Sequence, residues 1–229
     1  MIAHASKWLD PRPLIVLTMI VLLVCIVLMV TIDKPAAFFI DRTMSAAGVQ
    51  FWRDVSRLGK ADTHLVILVV LYLGGRALFL WTAPLGIARW YAHLARIGLF
   101  GLASYALSGA VVQILKNILG RYRPKHLIQD GVYGFSPFSP DWSFNSFPSG
   151  HSQSAFTIAC VLSLVFPRAT WFFLTLAATI AFSRVLNGAH FPSDIIFGSY
   201  VGIVSVLLVR RHWFPEIGSA PVNPACYAG

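Results

Sequence analysis

The stretch LIVLTMIVLLVCIVLMVTI, from Leu14 to Ile32, contains nineteen residues and no charged side chain. A helix needs about 20 mostly apolar residues to cross the hydrocarbon core of a bilayer, so this stretch predicts a membrane-spanning helix. A short tail with Lys7 and Arg12 precedes it, as in a signal peptide, but Asp33-Lys34-Pro35 is a poor cleavage site. We therefore expect the stretch to be retained as the first span.

Five further apolar runs follow, each bounded by charged residues, glycine or proline. The six predicted spans are Leu14–Ile32, Thr63–Trp81, Leu94–Leu119, His151–Phe166, Thr170–Leu186 and Ile195–Val209. The chain is 57% hydrophobic and 12% charged, whereas a soluble domain has about 25% charged residues. The sequence therefore predicts an all-α fold, an integral membrane bundle of six transmembrane helices, as a single domain over residues 1–229.

The distribution of cations predicts the orientation in the membrane. Both tails and two short connections lie on one side of the predicted bundle, and the two connections carry no acidic residue. The cations of this side are Lys7, Arg12, Arg89, Arg96, Arg168, Arg210 and Arg211. By the positive-inside rule this side is cytoplasmic. The loops after spans one, three and five then face outward, which in a bacterium is the periplasmic face of the inner membrane.

The first outer loop weakens this charge asymmetry, because between Lys34 and Lys60 it carries five cations mixed with acidic residues. Apolar side chains alternate with these charges from Phe38 to Leu58. Such a segment is typical of a helix lying in the membrane interface, and equally of a loop helix packed on the bundle.

The formal net charge is +9, which in a soluble protein would indicate nucleic-acid binding. Here the cations lie between apolar spans, so we expect a phosphorylated membrane lipid as the partner and no nucleic acid.

A first polar cluster, in residues 116–124, ends the third span. Lys116 precedes Arg123 by seven residues, about two helical turns, so both lie on one helix face. Gly120 and Pro124 end the helix there and let both side chains turn toward one point. An arginine fork and a lysine ammonium suit a phosphate. Considered alone, both could instead be anchors that extend to the interface.

A second cluster, Pro148-Ser149-Gly150-His151, stands directly before an apolar run. Proline suits the first turn of a helix, serine can cap it, and glycine lets a ligand approach the backbone. Free N–H groups at a helix start bind anions, and His151 would lie beside such an anion. A lone histidine at this position could also be purely structural.

A third cluster, in residues 183–194, joins the fifth and sixth spans. It contains Ser183, Arg184, His190 and Asp194. Because Asp194 follows His190 by four residues, one helical turn can bring its carboxylate to the imidazole N–H. That contact would fix the tautomer and leave the other ring nitrogen free to attack. Charged groups at a membrane edge are costly unless they pair or line a polar cavity, which favours a function.

The motifs K-x6-RP, PSGH and SR-x5-H-x3-D occur here in order over Lys116 to Asp194. With these motifs and the six-span layout, the chain resembles the type 2 phosphatidic acid phosphatase superfamily. The resemblance implies a membrane phosphatase that works through a phosphohistidine, with His190 as nucleophile. It also implies that Asp194 orients His190 and that His151 protonates the leaving alkoxide.

The resemblance further implies the phosphate ligands. Lys116, Arg123 and Arg184 would bind the phosphate oxygens, and Ser149 with the Gly150 amide would complete the site. Three cations can neutralise a transferring phosphoryl group, and no carboxylate cluster accompanies them. We therefore expect no metal and no other cofactor.

The sequence leaves the substrate open. Relatives with this signature act on lipid A, undecaprenyl diphosphate, phosphatidylglycerol phosphate and phosphatidic acid, and the basic first outer loop favours a substrate with a second phosphate, such as lipid A. A lipid-to-lipid phosphotransferase is one alternative. A non-enzymatic lipid transporter would explain the spans but not the polar clusters, and the soluble vanadate haloperoxidases share the motifs but not the spans.

Overall fold

The computed structural model describes residues 10–82, 88–139, 141 and 144–218. Lys7 and residues 83–87 of the first predicted cytoplasmic connection lie outside this part. The α-helices of the described part are α1 (Pro11–Thr31), α2 (Asp33–Thr43), α3 (Ala46–Arg57), α4 (Ala61–Thr82), α5 (Ala88–Leu119), α6 (Pro124–Asp130), α7 (Gly150–Val165), α8 (Thr170–Leu186) and α9 (Pro192–Trp213). Within the described residues, β-pairing is limited to an isolated bridge between Arg121 and Phe135.

Five helical segments of the described part are long and apolar enough to cross a membrane: Arg12–Thr31, Ala46–Thr82, Ala88–Leu119, Pro167–Leu186 and Pro192–Trp213. The remaining predicted span corresponds to α7, which has 16 residues and is short for a full crossing. The all-α, multi-pass membrane bundle is thus confirmed, whereas the number of six spans is not.

The first helix exposes apolar side chains on most of its surface. Met19, Leu23 and Val30 are each more than 60% exposed, and Cys25 is buried against the rest of the bundle. A helix that is apolar on all sides and exposed on most of them is stable only in an apolar solvent.

Glycines let the helices that carry the polar clusters approach closely. A Cβ placed on Gly198 of α9 would lie 2.4 Å from the Ser149 carbonyl oxygen, and one on Gly202 would lie 2.6 Å from the Gln153 oxygen. Small residues at such crossings let helix backbones touch, as is common in membranes. The start of α7 is therefore held directly against the first turns of α9.

Two networks of polar side chains join α7 to its neighbours inside the bundle. Gln153 donates to Ser108 Oγ on α5 at 2.6 Å, and Tyr105 on α5 contacts Ser154 Oγ at 2.9 Å. His64 on α4 joins the second network through the Tyr105 hydroxyl at 2.6 Å. Because buried polar groups in a membrane must be paired, these contacts fix the position of α7.

The segment 38–58 of the first outer loop forms two helices rather than one. Ser45 separates them and caps α3, since its Oγ accepts from Gly48 N at 3.1 Å. Helix α3 packs on α8, while Phe51 is 58% exposed and Phe39 is 66% exposed. The segment thus combines packing on the bundle with apolar side chains directed to the surroundings.

The orientation can be tested with single cysteines. A cysteine at the partly exposed Ser139, in the loop between α6 and α7, should react with a membrane-impermeant thiol reagent in intact cells. Its control is a cysteine at the exposed Arg168, between α7 and α8, which should react only after lysis. Cys25 and Cys160 are buried, and Cys226 would be replaced by serine. The opposite labelling pattern would reverse the orientation.

Candidate active site

The residues of the three polar clusters meet at one end of the bundle. The backbone N–H of Ser149 donates to the Asp194 carbonyl at 3.0 Å, which ties the second cluster to the third. Lys116 lies within the electrostatic range of Arg123, Arg184 and Asp194. His151 in turn is within range of the three cations Arg184, Lys116 and Arg123. The structure thus brings together every residue that the sequence selected for the site.

His190 lies in the short connection between α8 and α9 and is 3% exposed. Its Nδ1 is 3.5 Å from Asp194 Oδ2, beyond the range of a normal hydrogen bond. Such contacts in an active site often shorten only when a substrate binds. The carboxylate is fixed independently, because Oδ2 accepts from the Phe191 N–H at 2.8 Å and from Ser146 Oγ at 2.6 Å.

The surroundings of His190 favour the neutral imidazole. Burial, together with the positive charges of Arg184 and Arg123, outweighs the opposing effect of Asp194 and lowers the pKa of His190 to about 3. The ring is therefore uncharged at neutral pH, and one nitrogen retains its lone pair. An unprotonated nitrogen is what nucleophilic attack requires.

Two of the three cations, Lys116 and Arg184, are anchored by hydrogen bonds that leave other donors free. Lys116 Nζ donates to the Asn145 carbonyl at 2.9 Å, and Arg184 Nη1 donates to Ser56 Oγ at 2.9 Å. The Nε atoms of Arg123 and Arg184 are buried and have no hydrogen-bond partner among the described residues. Buried donors of this kind normally have an acceptor, and a bound anion would supply it.

The start of α7 provides a further anion-binding element. Ser149 caps the helix, and its Oγ accepts from the hydroxyl of Ser152 at 3.0 Å, so its own proton can be donated elsewhere. A Cβ added at Gly150 would meet no atom within 4 Å, so the space beside its Cα is open. The first N–H groups of a helix have no intrahelical acceptor and can bind an anion.

A cavity of about 400 Å³ opens beside His190, toward the helices of the first outer loop. Its polar lining includes the exposed Arg53 of α3, Lys125 of α6 and Asn187. The lining also contains apolar side chains, among them Ile40 and Met44. The cavity is large enough for part of a polar headgroup next to the imidazole.

Sequence reasoning missed the residues that support the site residues through ion pairs and hydrogen bonds. Arg121 is fully buried between Asp33 and Asp194, and Ser56 supports Arg184. From the sequence, Asp33 stands out only at the poor cleavage site and among the acidic residues of the first outer loop, and Arg121 only as part of the run between Lys116 and Arg123. One available signal was a charge directly after a span, which is costly unless it is paired.

Histidines outside the three clusters have other contacts. His64 belongs to the Tyr105 network, and His126 pairs with Asp130 at 2.9 Å. Within the described residues, no group of three or more His, Cys, Asp or Glu side chains could hold a metal ion. The expectation that catalysis needs no metal stays a prediction.

Comparison with known proteins agrees with this geometry. The PAP2 superfamily model matches residues 98–217. Lipid A 1-phosphatase of Rhizobium etli is 30% identical over 157 residues, which cover 67% of this chain and 68% of that protein. The name of this relative supports the prediction that the chain is an enzyme, a phosphoric ester hydrolase.

Two solved structures share the fold. LpxE of Aquifex aeolicus has a TM-score of 0.57 at 22% identity, covering 80% of this chain and 96% of its own. The transmembrane PAP2 type phosphatidylglycerolphosphate phosphatase of Bacillus subtilis has a TM-score of 0.60 at 21% identity, covering 86% and 94%. Since the family model matches more than half of the residues, the chain belongs to the PAP2 superfamily.

Proposed function

We propose that the chain hydrolyses a phosphate monoester or diphosphate of a membrane lipid through a phosphohistidine at His190. The observation that carries this proposal is the position of His190. A buried, neutral imidazole lies beside Asp194 on one side and within the electrostatic range of Arg123 and Arg184 on the other. This arrangement suits attack on a phosphorus atom whose oxygens the cations bind.

In the first step, His190 Nε2 forms a bond to phosphorus while the bond from phosphorus to the lipid oxygen breaks. His151, which the negative charge of the bound phosphate keeps protonated among the surrounding cations, gives its proton to that oxygen, so the lipid leaves as an alcohol. Asp194 stabilises the positive charge that develops on the His190 ring. In the second step, His151 takes a proton from water and the water oxygen forms a bond to phosphorus. The bond from phosphorus to His190 Nε2 breaks, so inorganic phosphate is released and His190 becomes neutral again.

The cations provide the remaining stabilisation. Phosphoryl transfer depends mainly on positioning and on neutralising charge on the equatorial oxygens. We assign this role to Lys116, Arg123 and Arg184, with the Ser149 hydroxyl and the Gly150 amide completing the site. Fixed donors in a partly dehydrated site need little reorganisation during the reaction.

We place the site at the periplasmic face of a bacterial inner membrane and favour a substrate with a second phosphate, such as lipid A. Arg53 and Lys125 support this choice, because they are cations that line the same cavity as His190. The named relatives act on different lipids, lipid A in Rhizobium etli and phosphatidylglycerolphosphate in Bacillus subtilis. Undecaprenyl diphosphate and phosphatidic acid complete the substrate panel.

Purified protein incubated with this panel in EDTA should release inorganic phosphate, because the three cations replace a metal in neutralising the phosphoryl group. Vanadate, which mimics the five-coordinate state, should inhibit the release. Bisphosphorylated lipid A should be turned over fastest. Activity that EDTA abolishes and magnesium restores would contradict the metal-free mechanism. Phosphate that appears on a second lipid instead of in solution would identify a phosphotransferase.

The two histidines should respond differently to the leaving group. His190→Ala should abolish turnover of both lipid and p-nitrophenyl phosphate, because each needs the nucleophile. If p-nitrophenyl phosphate is accepted, His151→Ala should retain relatively more activity on it than on lipid, because that leaving group needs little protonation. Asp194→Asn should fall between these cases. A His190→Ala enzyme that still turns over lipid would remove the assignment of the nucleophile.

A further inference from the structure

Arg121 is the largest fully buried side chain among the described residues and takes no part in the mechanism above. Its Nη1 donates to Asp194 Oδ1 and to Ser193 Oγ, the latter at 2.7 Å. Its Nη2 donates to Asp33 Oδ2 at 2.7 Å and to the Tyr133 hydroxyl at 2.8 Å. One guanidinium thus joins two carboxylates that are 161 residues apart.

Asp33 begins α2, immediately after the first span, and is fully buried. Its Oδ1 accepts from Ser193 N at 3.1 Å, and its Oδ2 accepts from Ser193 Oγ at 2.5 Å. Asp33 therefore contacts both Arg121 and the residue that precedes Asp194. A single carboxylate ties the outer end of α1 and the start of α2 to the first turn of α9.

Aromatic rings enclose the guanidinium. Its central carbon lies 4.5 Å from the centroid of the Phe191 ring, 5.4 Å from that of Tyr133 and 5.7 Å from that of Phe135. Burial alone lowers the pKa of Arg121, but Asp194 and Asp33 outweigh burial and raise it. Arg121 is therefore a permanent cation in a site closed to water, where removal of a partner leaves an uncompensated charge.

The two oxygens of the Asp194 carboxylate have different partners. Oδ1 accepts from Arg121, whereas Oδ2 accepts from Ser146 and the Phe191 N–H and faces His190. An aspartate bound at both oxygens cannot rotate away from the imidazole. Because Arg121 also compensates its charge, Asp194 raises the basicity of His190 less than a bare carboxylate would.

We propose that Arg121 and Asp33 are positioning residues for phosphoryl transfer. Arg121 holds Asp194 so that Oδ2 points to His190 Nδ1 and moderates the charge that the imidazole experiences. Asp33 holds Arg121 in that place. The inference rests on the proposed function, because it assumes that His190 attacks phosphorus.

The charges around His190 make the proposal testable by pH. Arg184 on α8 and Arg123 before α6 act on the imidazole from the cationic side, and Asp194 on α9 acts from the other. His151 and Lys116 lie among the same cations. Without Arg121, the unopposed carboxylate should raise the pKa of His190, so activity should be lost at a higher pH as the solution is acidified. This fall in activity toward low pH is the acid limb of the pH profile. Substitution of a residue that only stabilises the fold would not shift the acid limb.

The experiment measures kcat, KM and the pH profile of lipid phosphate release for the detergent-purified full chain. Arg121→Gln should lower kcat about 10- to 100-fold with little change in KM, as loss of a supporting contact commonly does. Its acid limb should move up by about one pH unit. Arg121→Lys should lower kcat less than Arg121→Gln does, because lysine keeps the positive charge but not the two donor nitrogens of the guanidinium. Asp33→Asn/Arg121→Gln should keep the low kcat of Arg121→Gln but recover part of its unfolding temperature, because it removes one of the two carboxylates left without the guanidinium.

Control variants separate the possible outcomes. Arg96→Gln removes an exposed pair with Glu216 and should keep the wild-type kcat and pH profile. Wild-type kcat and acid limb in folded Arg121→Gln, even with a lower unfolding temperature, would overturn the inference. If Arg121→Gln does not fold, unchanged kcat and acid limb in both Arg121→Lys and the double variant would overturn it. A wild-type chain that releases no phosphate from any lipid would instead refute the proposed function.

Discussion

Mutual repulsion among three cations governs the design of the site. Lys116, Arg123 and Arg184 are partly buried and lie within each other's electrostatic range. Like charges repel more strongly where water is excluded, so this arrangement becomes favourable when an anion binds among them. The helices must hold the cations together while the site is empty of such an anion. The bonds from Lys116 to the Asn145 carbonyl and from Arg184 to Ser56 contribute to this.

Charges of both signs act on His190. Arg123 and Arg184 lie within electrostatic range of the ring, and Asp194, which pairs with Arg121, lies 3.5 Å from Nδ1. In the proposed mechanism, this arrangement would stabilise negative charge on the phosphoryl group and positive charge on the phosphorylated imidazole together. The same charges explain why a buried histidine beside a carboxylate is neutral, because burial and the two cations lower the pKa of His190 more than Asp194 raises it.

The sequence predicted what depends on local spacing. The predicted span Thr170–Leu186 has the bounds of α8, and the four-residue interval from His190 to Asp194 brings the two side chains to 3.5 Å. Span ends were less accurate, since α5 begins at Ala88, six residues before the predicted Leu94. Residues 88–93 include Arg89 and His93 and precede the apolar run, so hydropathy alone does not locate the start of α5.

Contacts between distant parts of the chain could not be predicted in this way. Arg121 is 88 residues from Asp33, and Arg184 is 128 residues from Ser56, so neither pair forms a spacing that can be recognised. The two-helix form of the first outer loop also depends on packing against α8 and α9. Local periodicity determines helices, whereas the closing contacts depend on how the helices assemble.

The most direct test of the account is to find which residue carries the phosphoryl group during turnover. Purified protein would be mixed with phosphorylated lipid, quenched under alkaline conditions that preserve phosphohistidine, and mapped by mass spectrometry. The proposed mechanism predicts a phosphoryl group on His190 that is absent from His190→Ala. Phosphorylation of His151 instead, or lipid turnover with no phosphorylated residue, would contradict it.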